Sequence, residues 1–253
     1  MLQDILLFLT GSVVGAMNAI AGGGMLIGFP VLLAAGLPAL TANVTANIVI
    51  LPGSLSSAYG YRKYLRKLNP RYLLLILPCA IGAAGGAWIL RNTDSRHFER
   101  LVPGLILFAV LLFAFQPYLH FHLQRHIRLR SKAIKPLGLI GLALLPVAIY
   151  GGYFGAGFGF IMLAFLGFTR LHDMHRINGL KNLASSTIAL MSLLVLFTTH
   201  LIDWRVGLIM AVGCAAGGYF GARLSQKVSS HVLRIFVVII GLCTAGYLVL
   251  RSY

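Results

Sequence analysis

Residues 5–61 contain no Asp, Glu, Lys or Arg, and this uncharged stretch constrains the chain more than any other feature. A soluble domain covers its apolar segments with polar ones, whereas apolar runs of about 18 residues or more are typical of helices that cross a bilayer. Across all 253 residues, 58% are hydrophobic and only 10% are charged. The sequence therefore predicts an all-α polytopic membrane protein and excludes a soluble or disordered chain.

The basic residues and the cysteines narrow the class further. The net charge is +16, but the basic residues fall between the apolar runs, where they set the orientation of membrane helices. The expected partner is therefore the lipid bilayer, and no nucleic acid is expected. The three cysteines, Cys79, Cys214 and Cys243, lie in apolar surroundings and are predicted to be core residues rather than a disulfide framework.

Glycines, prolines and charged loops divide the chain into two halves with five apolar segments each. The first half has segments at 5–21, 25–37, 43–61, 72–90 and 101–119. The second half has segments at 136–154, 158–169, 178–199, 206–222 and 232–250. We therefore predict a first membrane repeat at 1–119, a basic cytoplasmic linker at 120–135 and a second membrane repeat at 136–253.

A superposition of the halves without gaps supports a duplication. It places Gly22 on Gly157 and Gly24 on Gly159, and it matches two asparagine pairs and several small residues. The other matches are Ala21 with Ala156, Asn43 with Asn178, Asn47 with Asn182, Ser57 with Ser192, Cys79 with Cys214, Gly82 with Gly217 and Gly86 with Gly221. Glycines and asparagines that match at one fixed spacing predict an internal repeat.

The basic loops predict that the two repeats are inverted across the membrane. The loop after the third segment of the first half is the most basic one there, and the positive-inside rule makes it cytoplasmic. Its basic residues are Arg62, Lys63, Arg66, Lys67 and Arg71. The corresponding turn of the second half, at 200–203, is nearly neutral and is predicted to be external. Inverted repeats of this kind are typical of secondary transporters.

The segments that follow the glycine-rich breaks, 25–37 and 158–169, are short for a full crossing. A helix needs about 20 residues to span the hydrocarbon core. Each short segment therefore either crosses the membrane or forms, with the segment before it, a re-entrant hairpin that dips into the bilayer. The sequence leaves both arrangements open.

The glycine-rich breaks are the strongest candidates for a binding site. They contain Gly22, Gly23 and Gly24 in the first half, and Gly155, Gly157 and Gly159 in the second. Glycine lets the backbone unwind, and unwound backbone at membrane depth must line a cavity or be buried in protein. The half-helix that follows begins with free N–H groups and a positive dipole end, which favour an anion. The alternative is that these glycines only allow close helix packing.

Polar side chains follow each break at matching positions. Asn43 and Asn47 lie one helical turn apart, and Asn178 and Asn182 repeat them. Amides four residues apart share a helix face and can donate to an anion or to an unwound carbonyl. The alternative is that they hydrogen-bond between helices or cap helix ends.

Lys181 lies between the second pair of asparagines, where the first half has Ala46. A cation at that depth is costly unless it is paired or solvated. We therefore predict either a substrate-binding residue or an interfacial base whose amine reaches solvent.

Acidic residues are few and lie in loops or at the ends of the predicted spans. They are Asp4, Asp94, Glu99, Asp173 and Asp203. No buried carboxylate is therefore expected to relay protons or hold a metal cation. The spans also contain no nucleophile with a partner base and no carboxylate pair, so no enzyme activity, metal or cofactor is expected.

Four motifs carry a resemblance that covers essentially the whole chain. They are the stretch GAMNAIAGGGMLIGFP at 15–30, the polar segment 41–47, the basic turn 62–67, and the echo at 151–159 with Asn178 and Asn182. With these motifs the chain resembles the TauE/SafE family of sulfite exporters, also called the toluene-sulfonate uptake permease family.

The resemblance implies a bacterial inner-membrane transporter, with export the expected direction, for sulfite, sulfonates or related small sulfur oxyanions. It also implies that the glycines and asparagines named above line the site. The substrate would move by alternating access between the repeats. Two alternatives stay open, an anion channel of the same architecture and a transporter of an unrelated organic anion. A homodimer also stays open.

Overall fold

The computed structural model describes residues 1–111, 137–169, 171 and 173–225. Every regular element in these ranges is helical. The predicted linker 120–135, the last predicted segment 232–250 and the end of the segment 101–119 lie outside the described residues.

Ten helices are described, six in the first half and four in the second. In the first half they are α1 (Leu2–Ile20), α2 (Met25–Ala34), α3 (Ala39–Gly60), α4 (Arg62–Leu65), α5 (Ile76–Arg91, after a 3₁₀ turn at Pro70–Leu75) and α6, described over 95–111. In the second half they are α7 (Leu137–Tyr153), α8 (Phe158–Leu166), α9 (Met174–Leu196) and α10 (Trp204–Leu224).

Five helical stretches are long and apolar enough to cross a membrane. They are Leu2–Ile20, Ala39–Gly60, Pro70–Arg91, Met174–Thr199 and Trp204–Leu224. The prediction of an all-α polytopic membrane protein is therefore confirmed. By contrast, α2 and α8 have 10 and 9 residues, or about 15 and 14 Å of helix, which is about half of the hydrocarbon thickness.

Local sequence fixes where several of these helices begin. Asp173 accepts a hydrogen bond from the backbone N–H of His175 at 2.9 Å, and Asp203 accepts one from Val206 at 3.0 Å. These aspartates cap α9 and α10, and they also place a negative charge at the positive dipole end of each helix. Pro38, the residue before α3, has φ −56° and ψ 149° and is not part of the helix.

Helices of each half pack mainly on helices of the other half, in a reciprocal pattern. α1 packs along α10, whereas α7, its counterpart, packs along α5. In the same way α3 packs on α10 and α9 packs on α5, while α3 and α9 contact each other. The two halves therefore interlock and do not form separate bundles.

Glycines at these crossings bring the helix backbones together. A Cβ at Gly86 would collide with the Ile149 carbonyl of α7, and one at Gly217 would collide with the Ser12 carbonyl of α1. Small residues four positions apart commonly allow such close approach between membrane helices.

Candidate functional site at two helix breaks

The first glycine-rich motif ends α1 abruptly. The backbone N–H groups of Ala21 and Gly22 both donate to the Met17 carbonyl, at 2.8 and 3.1 Å. Gly22 has φ +94°, a left-handed conformation that ends helices and that residues with a Cβ rarely adopt. Gly24 then precedes α2. The predicted break at Gly22, Gly23 and Gly24 is confirmed.

The second motif ends α7 in the same manner. The N–H groups of Phe154 and Gly155 both donate to the Tyr150 carbonyl, at 2.9 and 3.3 Å, and Gly155 has φ +74°. Gly157, with φ +78°, then precedes α8. The predicted second break is also confirmed.

The residues that fill equivalent roles differ from the superposition by two positions. Gly155 ends its helix as Gly22 does, and Gly157 precedes α8 as Gly24 precedes α2. The match of Gly22 with Gly157 is therefore wrong at the break. The connection from α8 to α9, at 167–173, is longer than that from α2 to α3, at 35–38, and this difference restores the match of Asn43 with Asn178.

The two breaks touch each other. A Cβ on Gly22 would lie 2.8 Å from the Cα of Gly159, and a Cβ on Gly159 would lie 2.7 Å from the Cα of Gly22. Gly23 adjoins the ring of Phe160, where a Cβ would collide with the ring edge. Gly22, Gly23 and Gly159 are all buried. Main chain from one half therefore meets main chain from the other inside the protein, and the breaks do not face lipid.

Three other predicted glycines lie beside this contact. Gly24 packs against the Val14 carbonyl of α1, and Gly157 packs against Ala109 of α6. A Cβ added at Gly155 would lie 3.2 Å from the carbonyl oxygen of Gly151 in its own segment. These positions shape the two turns without joining them.

Side chains of α9 hold the carbonyl end of α1. The Nζ of Lys181 donates to the Asn18 carbonyl at 2.5 Å and to the Ala19 carbonyl at 3.3 Å, and the Asn182 amide donates to the Ala19 carbonyl at 3.2 Å. This end of α1 carries the negative part of the helix dipole, which a basic group stabilises.

Lys181 is completely buried, with 0% of its surface exposed. The prediction of an interfacial base is therefore wrong, because the amine ends inside the protein among main-chain carbonyls. All five acidic residues of the chain lie among the described residues. None of these acids forms an ion pair with Lys181 there.

An amide of α3 holds the end of α7. Asn43 of α3 donates to the Tyr153 carbonyl at 2.8 Å. The third helix of each half thus donates to the broken helix of the other half. Asn47 differs from its counterpart Asn182, because among the described residues its amide donates only to carbonyls of its own helix, at Asn43 and Val44, both at 3.3 Å.

One face of α9 carries buried polar atoms with hydrogen-bonding capacity to spare. Among the described residues, the Oδ1 atoms of Asn178 and Asn182 and the hydroxyl of Ser185 have no hydrogen-bond partner. These positions recur at helical spacing and adjoin Lys181 in sequence. Since buried polar atoms are normally paired, these atoms mark a surface suited to a polar ligand.

Two residues near the α1 break were missed by sequence reasoning. Buried Asn18 donates from its amide to Ser54 at 3.1 Å, and its position one turn before Gly22 is a signal that could have found it. Buried Tyr61 donates to Ser225 at 3.0 Å and also approaches the Ala19 carbonyl at 3.5 Å. No local pattern distinguishes Tyr61 from an interfacial tyrosine.

Within the described ranges, no group of three or more His, Cys, Asp or Glu side chains is placed to hold a metal ion. The residues that converge on the breaks are instead glycines, amides, hydroxyls and one amine. They offer hydrogen-bond donors and acceptors, and no side chain among them is a candidate metal ligand of the acidic or thiolate type.

Several helices long enough to cross a membrane, packed around two buried helix breaks, define a polytopic membrane protein. The model of the family described as sulfite exporter TauE/SafE matches residues 7–248, and the chain belongs to this family. The protein is therefore a multi-pass membrane protein of a transporter family.

Relatives from several bacteria match nearly the full length. A probable membrane transporter protein of Haemophilus influenzae is 33% identical over 243 residues, covering 92% of this chain and 89% of the relative. The probable membrane transporter protein YfcA of Escherichia coli is 26% identical over 249 residues, covering 98% and 90%. No solved structure gives a significant match.

Proposed function

We propose that the protein is a secondary transporter that moves a small sulfur oxyanion across the bacterial inner membrane by alternating access. The observation that carries the proposal is the contact between Gly22 and Gly159, which joins the two helix breaks inside the protein. The substrate would bind where these main chains meet. Family membership supports the transporter class, and the chemistry of the surrounding groups supports the kind of substrate.

The reciprocal packing supports a twofold relation between the halves. Exchange of α1 with α7, of α3 with α9 and of α5 with α10 leaves the main helix contacts unchanged. The turn after α3 is strongly basic, whereas the turn after α9 is nearly neutral, which favours opposite orientations of these helices in the membrane. In this proposal α1 with α2, and α7 with α8, enter from opposite sides of the membrane and meet where Gly22 contacts Gly159.

The helix ends at the contact suit an anion. α2 and α8 begin immediately after the breaks. Some N–H groups of their first turns are already used, because Leu26, Ile27 and Phe160 donate to carbonyls of the breaks. The N–H groups of Met25 and Phe158, the first residues of the two helices, have no partner within the helix. Their partial positive charge favours a negative ligand. Lys181 is the only basic side chain among the buried described residues, so the site offers at most one full positive charge. A singly charged anion matches it better than a doubly charged one.

The free acceptors on α9 favour an anion that also carries a proton. The Oδ1 atoms of Asn178 and Asn182 can accept a hydrogen bond. Hydrogen sulfite can donate its proton to one of them while its other oxygens accept from N–H groups or Lys181. A sulfonate is singly charged but has no proton to donate, and sulfate carries two charges. We therefore rank hydrogen sulfite first and sulfonates second.

Flux into proteoliposomes tests this proposal. Purified protein is reconstituted, and uptake of sulfite, methanesulfonate and sulfate is measured over a range of concentrations, with and without an imposed pH gradient. We expect saturable sulfite flux that rises when the gradient favours the protonated anion, weaker methanesulfonate flux and little sulfate flux. Absence of saturable flux for every oxyanion would refute the transporter proposal. Flux that never saturates and ignores the gradient would indicate a channel.

A further inference from the structure

Two arginines lie on tyrosine rings where the ends of α3 and α10 adjoin, Arg62 at the start of α4 and Arg223 in the last turn of α10. The Cζ of Arg62 is 4.2 Å from the ring centroid of Tyr59, and the Cζ of Arg223 is 4.7 Å from that of Tyr219. The two rings stack on each other, with centroids 6.1 Å apart and planes inclined by 25°. These four residues form an Arg–Tyr–Tyr–Arg ladder that joins the two helices.

The guanidinium groups of the ladder have donors to spare. An arginine has five N–H donors in one plane, and when the plane lies on a ring, these donors point outward from its edge. Arg62 uses one of them on the Tyr59 carbonyl, at 3.1 Å. Among the described residues, which include all five acids, neither Arg62 nor Arg223 forms an ion pair. Their charge is therefore available to an external anion.

The surroundings place this anion at the membrane surface. Both helices are membrane-crossing and end at this point, and large apolar side chains beside the ladder are exposed. They are Leu55, Phe220 and Leu224. On the other side lie the exposed basic residues of the following turn. They are Lys63, Arg66, Lys67 and Arg71. Such a change from apolar to basic surface is found at the depth of lipid headgroups.

We propose that the Arg–Tyr–Tyr–Arg ladder is a binding site for the phosphate of an anionic phospholipid. Each guanidinium edge can donate to phosphate oxygens, because planar guanidinium groups match phosphate geometry, and the charges of Arg62 and Arg223 together attract the anionic headgroup. The lipid chains then lie along the exposed apolar surface of α3 and α10. This site is separate from the helix breaks and does not depend on which solute is transported.

Native mass spectrometry of the whole protein tests the site. The protein is taken from nanodiscs that contain equal amounts of phosphatidylglycerol and phosphatidylcholine, and the bound lipids are counted. We expect wild-type protein to retain phosphatidylglycerol in preference to phosphatidylcholine. The double variant R62Q/R223Q should bind phosphatidylglycerol about thirtyfold more weakly, because each basic residue near an anionic surface contributes about a factor of five. The control is R91Q/R100Q, which removes two exposed arginines outside the ladder and should leave retention unchanged.

Several outcomes would overturn the proposal. They are equal retention of both lipids by wild-type protein, undiminished phosphatidylglycerol on R62Q/R223Q, and an equal loss in R91Q/R100Q. The variant R62K/R223K keeps both charges without the planar edge, and its retention should fall between those of wild type and R62Q/R223Q. Retention equal to wild type would show that the ladder geometry is irrelevant. Excess inorganic phosphate should not displace the lipid, and displacement would assign the site to a soluble anion instead.

Discussion

Lys181 in α9 donates from its Nζ to the main-chain carbonyl of Asn18 in α1, across 163 residues of sequence. A basic group of the second half thereby holds the carbonyl end of the broken helix in the first half. An anion at the adjoining break would attract the same amine. In the proposed mechanism, substrate binding therefore competes with the hold on α1, and this competition couples the site to the relative position of the halves.

Replacing Lys181 by Met tests this role. The change removes the basic group while it keeps much of the side-chain volume, and it leaves carbonyls of α1 without their donor. We expect saturable sulfite flux to fall at least about tenfold, and the free energy of unfolding to fall by about 1–3 kcal/mol. Flux and thermal stability are measured on the same preparation. A less stable protein with unchanged flux would restrict Lys181 to a structural role.

The two equivalent asparagines provide a matched pair. Asn182→Ala removes a donor to α1 from a fully buried position, whereas Asn47→Ala removes an amide that bonds only within its own helix. We expect the first substitution to lower stability by about 1–3 kcal/mol and to impair flux, and the second to cost less than about 1 kcal/mol. Thermal unfolding in detergent and proteoliposome flux measure both effects. Equal losses would mean that contact with the other half is not what matters.

Gly22 and Gly36 separate the conformational cost of a side chain from the steric cost. Both residues have positive φ, +94° and +95°, but an added Cβ at Gly36 meets nothing within 4 Å, whereas one at Gly22 meets Gly159. We expect Gly36→Ala to cost about 1–2 kcal/mol and Gly22→Ala to cost a further 1–3 kcal/mol or so from crowding. The two costs are compared through the Tm of each variant, measured by thermal unfolding. Similar Tm values would argue against the contact between the breaks.

The neighbours Gly85 and Gly86 test the packing of α5 on α7. A Cβ at Gly85 meets nothing within 4 Å, whereas one at Gly86 collides with the Ile149 carbonyl. Gly85→Ala should be neutral or stabilise the helix by up to about 1 kcal/mol, whereas Gly86→Ala should destabilise the protein by about 1–3 kcal/mol. Thermal unfolding of both variants, with wild-type protein as the reference, measures these changes in stability.

Labelling of single cysteines tests the opposite orientation of the halves. In a background without Cys79, Cys214 and Cys243, a cysteine is introduced at Arg66 or at Thr198, both of which are exposed. If the halves are inverted, a membrane-impermeant maleimide should label the Thr198→Cys variant in intact cells and the Arg66→Cys variant only after permeabilisation. Labelling of both from the same side would exclude inversion.

The helix breaks could be predicted from the sequence because their cause is local. A glycine that takes positive φ ends a helix wherever it stands, and Gly22 and Gly155 do so in both halves. The exact correspondence between the breaks was not predictable, because it depends on the unequal connections before α3 and α9. An ungapped comparison cannot detect such a difference.

The setting of Lys181 could not be predicted from its neighbours in sequence. Arg176, five residues earlier, suggested a basic helix end near the membrane surface. The partners that bury the amine, Asn18 and Ala19, come from the other half of the chain. Long-range packing thus decides between an interfacial lysine and a buried one.

The meeting of Gly22 with Gly159 also bears on how easily the two halves part. Gly22 and Gly159 bring no side chains to their contact, so these two residues can separate without a rotamer change, and the side chain beside them that must move is the Phe160 ring against Gly23. The main chains of Gly22 and Gly159 can slide past each other or separate. We therefore expect the main energetic resistance to opening to come from the hydrogen bonds at the ends of α1 and α7 and from the packing of the Phe160 ring on Gly23, and not from the contact between Gly22 and Gly159.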